Sequence, residues 1–247
     1  MNWKKAAIIV LDLVIGFYLV LAVTAFNKPD EHAMVCNEVN ITIEKEQVDG
    51  FLTVDKVRYI LQKNRLDPMS EPMTKVNTRQ IEETLQANSL IDKAECYKTQ
   101  TGRVCIHIKQ RIPVVRVMSQ NNECYFVDNK GEIMTCKGYT CNTLVATGFI
   151  SKAYARKVLA PLASTIIMDN FWRSQVVQLN VLEDGAVEII PRVGQHVACL
   201  GQPVDVPRKL ERLRKFYRYG LNQAGWNQYD RVSVEFDNQI VCRRKKG

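Results

Sequence analysis

The sequence has 247 residues, which is enough chain for one large domain or two modest ones. Hydrophobic residues make up 46% and charged residues 24%, a balance typical of globular proteins that excludes a disordered, collagen-like or multi-spanning membrane chain. The formal net charge of +8 keeps nucleic acid as a candidate ligand until the positive charge is located along the chain.

The first predicted element is a largely apolar run of 21 residues, 6–26, which includes one carboxylate, Asp12. A helix of this length is ~31 Å long, the thickness of a bilayer core, so the run predicts a transmembrane helix. Lys4 and Lys5 precede it, and this bias of basic residues places the N-terminus in the cytoplasm and the rest of the chain outside. Asp12 either pairs with a partner helix or extends toward the cytoplasmic face.

A cleaved signal peptide is the alternative for this run, because Val23, Thr24 and Ala25 resemble a cleavage site. The run is longer than the usual apolar core of a signal peptide, roughly 7–15 residues, and this length favours a retained anchor. Both interpretations export the following chain, and disulfides are common in exported proteins.

Four of the eight cysteines flank predicted hairpin turns. Cys96 and Cys105 flank one turn, and Cys124 and Cys136 flank another. Opposed cysteines of antiparallel strands can be bridged when their Cα atoms lie within ~7 Å, so two disulfides are allowed, and the alternative is that each cysteine is a small buried hydrophobic residue. The sequence has no C-x-x-C motif and its three histidines are far apart, so no metal site is expected.

Residues 39–109 predict the order strand, helix, helix, strand, strand. The elements are a strand at 39–43, a helix from Thr53 to about Asn64, a helix opened by Asn77 and Gln80, and strands at 93–98 and 103–109. The apolar positions expected to face inward on the two helices are Val54, Val57, Ile60, Leu61, Ile81 and Leu85. Between the helices, residues 65–76 contain two prolines and are expected to form a loop.

The second half of the chain predicts a separate α+β unit. Its strands are expected at 125–127, 132–135, 175–182, 186–191, 195–200, 231–236 and 239–242. A helix at about 151–168 contains Pro161, which is expected to kink it, and a helix from Asp205 to about 223 is expected to be capped by that residue.

The positive charge is concentrated in the last 43 residues, where 11 basic residues oppose 5 acidic ones. Arg208, Arg212, Lys215 and Arg218 recur at helical spacing and form one basic helix face. This face is expected to be either a solvated surface or a site for an acidic protein, anionic lipid or wall polymer. Nucleic acid is not expected outside the membrane.

Catalytic signatures are missing from the sequence, which has no G-x-S-x-G, H-E-x-x-H, P-loop or G-x-G-x-x-G motif. Asp128 is better explained as a turn residue that accepts backbone amides. We therefore expect no enzyme, no cofactor and no small-molecule substrate.

Several short motifs in chain order resemble those of the FtsQ/DivIB cell-division family. Residues 104–114, which end in Gln110-Arg111-Ile112-Pro113-Val114, resemble the family's strand followed by Glu-Arg-x-Pro, with glutamine in place of the glutamate. Residues 125–131 resemble its Val-Asp-x-x-Gly hairpin, and residues 145–148 resemble its short strand ending in Thr-Gly. Residues 209–213 and 232–236 complete the order, and residues 39–117 resemble a POTRA domain.

This resemblance implies an α+β chain with one N-terminal transmembrane helix, a POTRA domain and a β-rich domain whose helices pack on its sheet. The expected divisions are a cytoplasmic tail at 1–5, the transmembrane helix at 6–26, a linker at 27–38, the POTRA domain at 39–117 and the FtsQ-like β domain at 118–247. The implied function is a non-catalytic scaffold at the division septum of the bacterial inner membrane, and the implied partners are FtsB/FtsL-like bitopic proteins and other septal membrane proteins. The alternatives are a membrane-tethered envelope enzyme, or its regulatory subunit, acting on wall polymer, and a POTRA-bearing translocation factor.

The expected partner site is the pair of C-terminal strands, because a terminal strand leaves one row of backbone groups unpaired. Resemblance supports this site, since FtsQ relatives receive an FtsB segment on the last strand beside an aromatic residue that Phe236 matches. Glu235 stands where relatives often have arginine, so the family's salt bridge to an acidic FtsB residue is not carried over to this chain, and a basic partner residue is the alternative. The candidate residues are Arg231, Val232, Val234, Glu235, Phe236, Gln239, Ile240, Val241 and Cys242. The alternative is that Ile240 and Cys242 complete the sheet and bind nothing.

Overall fold

The computed structural model describes residues 3–26, 34–44, 52–139 and 141–245. The predicted tail and linker fall partly outside these residues. Helix α1 (Trp3–Phe26) covers the predicted membrane span, and the described large apolar side chains between Val10 and Leu21 are exposed. Within the described part of the chain, no helix has both the length and the apolar character needed to cross a membrane. The side chains of residues 4–9 and 23–26 lie outside the description, and the anchor stays a prediction.

The chain divides into two compact units. The first contains Met1–Ile43, Val54–Gln86 and Ala94–Ile108, and the second contains Glu44–Thr53, Ala87–Lys93 and Lys109–Gly247. Two short segments of the N-terminal half therefore belong to the second unit.

The N-terminal half beyond α1 has the predicted order of strand, helix, helix, strand, strand. Its elements are β1 (Glu38–Glu44), α2 (Val54–Lys63), α3 (Thr78–Gln86), β2 (Ile91–Lys98) and β3 (Arg103–Gln110). They form a three-stranded sheet in the order β1, β3, β2. Its core contains Val57, Leu61, Ile81, Leu85, Val104, Ile106 and Ile108, all buried, whereas Val54 is 39% exposed and does not face inward as predicted. The Asn77 side chain caps α3 by accepting the Gln80 amide at 3.1 Å.

The hairpin of β2 and β3 overturns one predicted cysteine pairing. The Thr99 amide donates to Arg103 O at 2.9 Å, a register that sets Tyr97, and not Cys96, opposite Cys105. Cys96 is accordingly buried on the inner face, while Cys105 lies on the outer face with His107. Because a one-residue change of register moves a side chain to the other face of a sheet, Cys96 and Cys105 cannot be bridged in this arrangement.

The second unit contains a nine-stranded sheet in the order β12, β11, β10, β9, β8, β7, β4, β5, β6. The strands are β4 (Pro113–Ser119), β5 (Cys124–Asp128), β6 (Ile133–Thr135), β7 (Leu144–Gly148), β8 (Val176–Val181), β9 (Val187–Pro191), β10 (Val197–Gly201), β11 (Tyr229–Ser233) and β12 (Val241–Arg244). The helices are α4 (Lys152–Tyr154), α5 (Ala160–Met168), α6 (Asn170–Gln175), α7 (Val206–Lys215) and α8 (Asn222–Ala224). The main core joins alternate strand residues, such as Val117, Leu179 and Val232, to helix residues such as Leu162 and Leu213.

The chain passes from the three-stranded sheet to the nine-stranded sheet earlier than the predicted domain boundary. β4 pairs antiparallel with β5 and parallel with β7, so Val114 and Val117 belong to the nine-stranded sheet. The predicted boundary after Val117 is therefore misplaced, because the chain leaves β3 at Gln110 and enters β4 at Pro113. The proline at this entry suits the first residue of a strand.

Both long helices of the second unit contain a π-helical turn. Ala155–Leu159 lies between α4 and α5, where the Ala160 amide donates to Ala155 O immediately before Pro161, and Phe216–Leu221 lies between α7 and α8. The turn ends immediately before Pro161, which cannot donate to the helical ladder, and the kink expected at this proline stays a prediction.

Two helix starts differ from the predictions. Asp205 does precede α7, but it has a positive φ of 50° and its side chain makes no capping hydrogen bond. Helix α6 was not predicted, although the Asp169 side chain caps it by accepting the amides of Phe171 (2.9 Å) and Trp172 (3.2 Å).

Candidate partner-binding edge

The last strand, β12, lies at one end of the nine-stranded sheet. It pairs antiparallel with β11, with Val232 opposite Cys242 and Ser233 opposite Val241. The far end of the same sheet is β6, which has three residues and whose Thr135 amide donates to Ser89 Oγ at 3.4 Å. β12 is therefore the longer and less covered of the two edges.

Both terminal strands are displaced from their predicted positions. A turn at residues 237–238 would set residue 236 opposite 239, whereas the observed register leaves a seven-residue connection, 234–240. Val234 is the first residue after β11, and its amide donates to Cys199 O on β10 at 2.9 Å. Within the connection, Asn238 has a positive φ of 59°. The predicted site residues that lie in this connection are Val234, Glu235, Phe236, Gln239 and Ile240.

The direction of the β12 amides follows from the hydrogen bond at its end. The Lys245 amide donates inward, to Gln228 O at 3.0 Å. Because successive amides of a strand point to opposite sides, the Val241 and Arg243 amides also point inward, toward β11.

The unpaired backbone groups at this edge are consequently those of Cys242 and Arg244. Their amides and carbonyls point away from β11, and within the described residues no side chain is hydrogen-bonded to either amide. An extended segment placed beside β12 can therefore exchange backbone hydrogen bonds with these two residues.

The predicted site residues divide into an anchoring set and an exposed set. Val232 and Val234 are fully buried, and Ile240 and Cys242 pack partly buried against the main core. The exposed members are Glu235, Phe236, Gln239 and Val241, with Phe236 and Val241 each about half exposed. Arg231 pairs with Glu188 at 3.0 Å. The anchoring set fixes the strands, and the exposed set is available to a partner.

Charged side chains flank the open edge. Arg243 pairs with Asp230 at 2.8 Å, and this contact holds the pKa of the Asp230 carboxyl below its usual range. Arg244 is exposed, and Lys245 Nζ donates to Gln195 Oε1 at 2.7 Å. Cations on an edge strand oppose pairing between two copies of it, so they protect the edge from self-association.

The predicted basic helix face is partly structural. Arg212 donates to Val234 O at 2.7 Å and pairs with Asp237 at 3.2 Å, so it holds the connection between β11 and β12. Lys209 is buried, its Nζ donates to Leu200 O (3.0 Å) and Gln202 O (2.7 Å), and burial lowers its pKa. Arg208 and Arg218 are exposed. The interpretation as a solvated surface therefore applies to only part of this face. Charge alone could not distinguish the exposed residues from Arg212, which holds the connection between β11 and β12.

A second group of side chains brings two of the sequence motifs together. Arg111 pairs with the buried Asp128 at 2.9 Å. The other oxygen of Asp128 accepts the amides of Lys130 (2.9 Å) and Glu132 (2.7 Å), which confirms its predicted role in the turn. Asp92 pairs with Lys130 at 2.7 Å, and this hydrogen bond lowers the pKa of Asp92.

Asp92, Arg111, Asp128 and Lys130 line a cleft of about 340 Å³ in the second unit. Each carboxylate in it is already held by a cation or by backbone amides, so the arrangement favours a structural role over acid–base chemistry. All eight cysteines are free thiols in the structure, and the described residues include no cluster of three or more metal-binding side chains.

Comparison with known proteins separates the chain into two parts. Residues 112–243 match the family model described as FtsQ/DivIB, C-terminal related, and residues 34–109 match a POTRA-like domain. The two matches meet where the chain passes from β3 to β4. No curated protein matches the chain.

Proposed function

The chain belongs to the FtsQ/DivIB-related family, and from this premise we propose that it is a non-catalytic scaffold of the bacterial cell-division machinery. Its exported domains bind other division proteins and thereby assemble the septal complex. Proteins of this family are generally non-enzymatic, which agrees with the absence of catalytic motifs from the sequence.

The observation that carries the proposal is the open edge of β12. Cys242 and Arg244 offer outward backbone groups, Val241 has an exposed side chain on the same strand, and Phe236 has an exposed side chain in the connection that leads to it. Strand addition at such an edge derives its affinity from main-chain hydrogen bonds and its specificity from flanking side chains. We assign this edge to an FtsB/FtsL-like bitopic protein.

The proposed location is the bacterial inner membrane at the division septum, with residues 6–26 as a single-pass anchor. The apolar run and the preceding lysines support an N-terminus in the cytoplasm and a C-terminus outside. A reporter fused after Gly247 is expected to be active only if it functions in the exported compartment. Activity of a reporter restricted to the cytoplasm would contradict this topology, as would release of the chain into the soluble fraction by cleavage near Ala25.

The partner site is tested by two substitutions at one position. Arg244→Pro removes an outward amide, whereas Arg244→Ala removes the side chain and keeps that amide. In pull-downs from membranes with the tagged full chain, Arg244→Ala should capture the FtsB/FtsL-like protein and Arg244→Pro should lose most of it. Val241→Pro is unsuitable, because the Val241 amide points inward and its loss disrupts the sheet.

Each variant is first checked for a melting curve like that of the unsubstituted chain. Capture of the same partner by a folded Arg244→Pro chain would move the site away from β12. The division role is tested separately by depletion, which should produce filamentous cells, and by fluorescence of a fusion at septa. Normal division after depletion, with wall-degrading activity in the purified chain, would instead support an envelope enzyme.

A further inference from the structure

The hairpin of β5 and β6 brings two cysteines face to face. Tyr125 lies opposite Thr135, and Phe126 lies opposite Met134, so the same register sets Cys124 opposite Cys136. The Cys136 thiol donates to Cys124 O at 2.8 Å. Directly opposed residues of antiparallel strands have Cα atoms about 4.5–5.5 Å apart, inside the range of roughly 4.4–6.8 Å that disulfides require.

From this geometry we propose that Cys124 and Cys136 form an intramolecular disulfide that braces the β5–β6 hairpin. The oxidant is another disulfide, either a protein of the exported compartment or a small molecule such as glutathione disulfide. Oxidation in the cell rests on the export proposed above, whereas the chemistry of the pair does not.

The surroundings of the two sulfurs suggest an order of reaction. The Arg116 guanidinium donates to Cys124 Sγ at 3.7 Å, while burial and contact with the Cys124 thiol raise the pKa of Cys136. The Cys124 thiolate therefore attacks the donor disulfide first, which forms a mixed disulfide and releases one donor thiol. The Cys136 thiolate then attacks Cys124 Sγ and releases the second donor thiol. Two electrons pass to the donor, and the two protons of the cysteines end on its thiols.

The structure distinguishes this pair from the other cysteines. Cys96 and Cys105 lie on opposite faces of their hairpin. Cys141 is the relevant competitor, because it packs with Cys136 against the same cluster of Leu90, Phe126 and Met134. Cys141 lies beyond β6, however, and has no position opposite Cys124 in the strand register.

The disulfide would close a loop that contains Asp128. The Asp128 carboxylate holds both the Arg111 guanidinium and the backbone of the hairpin turn. Bridging the open end of the hairpin restricts the unfolded chain and fixes the strands on both sides of that turn. The pair therefore acts as a redox-dependent brace at the β6 end of the sheet.

Tryptic mapping of the purified full chain tests the proposal, because cleavage after Arg116, Lys130, Lys137 and Lys152 separates the three cysteines into peptides 117–130, 131–137 and 138–152. The chain is equilibrated with glutathione redox mixtures, alkylated and digested without reductant. We expect a cross-linked product of 117–130 and 131–137, lighter than the two reduced peptides by the hydrogens of two thiols. Cys141→Ser should retain this product, and Cys136→Ser should lose it.

Melting measurements provide a second readout that does not depend on partner binding. Oxidation should raise the melting temperature of the chain by about 5–10 °C, and the double variant Cys124→Ser/Cys136→Ser should show no such difference. A cross-link to 138–152, glutathione adducts alone, or no cross-link at any redox ratio would overturn the assignment. Because these results come from the isolated chain, they are distinct from failure of the scaffold function.

Discussion

The pairing of Arg111 with Asp128 shows how two residues in separate motifs act together. Asp128→Ala leaves the amides of Lys130 and Glu132 without their side-chain acceptor, while Arg111 keeps the Ile91 carbonyl at 3.2 Å and Asp92 at 3.6 Å. We therefore expect a loss of about 2–4 kcal/mol in the free energy of unfolding. Asp237→Ala is the control, because its partner Arg212 is as buried as Arg111, at 16% exposure, while Asp237 itself is 76% exposed. The control should cost less than about 1 kcal/mol.

Urea denaturation of the two variants measures this difference. Equal losses would mean that burial of the carboxylate does not set the strength of the ion pair.

His196 gives the second unit a dependence on pH. Its ring is 3% exposed, its Nε2 is hydrogen-bonded to the Tyr217 hydroxyl at 2.8 Å, and Nδ1 has no partner in the described part of the chain. Burial lowers the pKa of His196, so the folded state prefers the neutral ring. The unfolded histidine titrates near ~6.5, hence the free energy of unfolding is unaffected well above that pH and falls as the pH drops from ~6.5 through the lower pKa of the folded state.

When the pH is lowered from 7.5 to 5.5, the free energy of unfolding should fall only below pH ~6.5. The slope there should be at most about 1.4 kcal/mol per pH unit. His196→Gln removes this titration and keeps a neutral hydrogen-bonding side chain, so its melting temperature should fall less over the same interval. An identical pH profile for His196→Gln and the unsubstituted chain would contradict the prediction.

At the scale of elements, the end of β7 depends on a glycine. Gly148 has a positive φ of 103°, and a Cβ there would lie 2.1 Å from Val181 O, while the next amide, Phe149 N, donates to the same oxygen at 2.9 Å. Gly148→Ala should therefore combine backbone strain with a collision against β8. Gly138 also has a positive φ, of 74°, but its Cβ position is open.

Gly138→Ala should cost about 1–2 kcal/mol from the left-handed conformation alone. The loss in Gly148→Ala should exceed it by about 1–3 kcal/mol or more. Thermal or urea unfolding of the two single variants makes the comparison, and equal destabilisation would show that β8 yields to the added methyl group.

The two cysteine hairpins show what the sequence could and could not predict about elements. The symmetric placement of Cys124 and Cys136 about the Asp128–Gly131 turn predicted the register that sets the two cysteines opposite each other, as observed. Around residues 99–102 the strands were predicted but the register was wrong by one residue. The alternation of Val104, Ile106 and Ile108 carried the missing signal, since Cys105 falls on the opposite, outer face.

The end of the chain was less predictable for a physical reason. The turn at Asp237 and Asn238 looked like a short hairpin connection, but the Val234 amide is bonded to Cys199 on β10 and Arg212 holds the connection. These contacts join positions distant in sequence, which local patterns do not report. The sequence therefore predicted a strand at this edge. Identifying Cys242 and Arg244 as the residues with outward amides required the observed strand register.

For the whole molecule, composition and motif order predicted an α+β chain with a POTRA-like part and an FtsQ-like part, and both family matches confirm this organisation. The boundary was placed too late because Val114, Val115 and Val117 suit a core strand of either domain. The pairing of β4 with β5 and β7 assigns these residues to the second domain. Part of the C-terminal positive charge lies at the open edge, because Arg243 and Arg244 belong to β12 and Arg212 holds the connection that leads to it.

Residue-resolved amide hydrogen exchange on β12, with and without the FtsB/FtsL-like partner, tests strand addition most directly. In the free chain, the Val241 and Arg243 amides should be protected and the Cys242 and Arg244 amides should exchange rapidly. Partner binding should slow exchange at Cys242 and Arg244 specifically, because their outward hydrogens become bonded to the added strand. Formation of the complex with unchanged exchange at these two amides, and new protection on the basic helix face instead, would contradict the account.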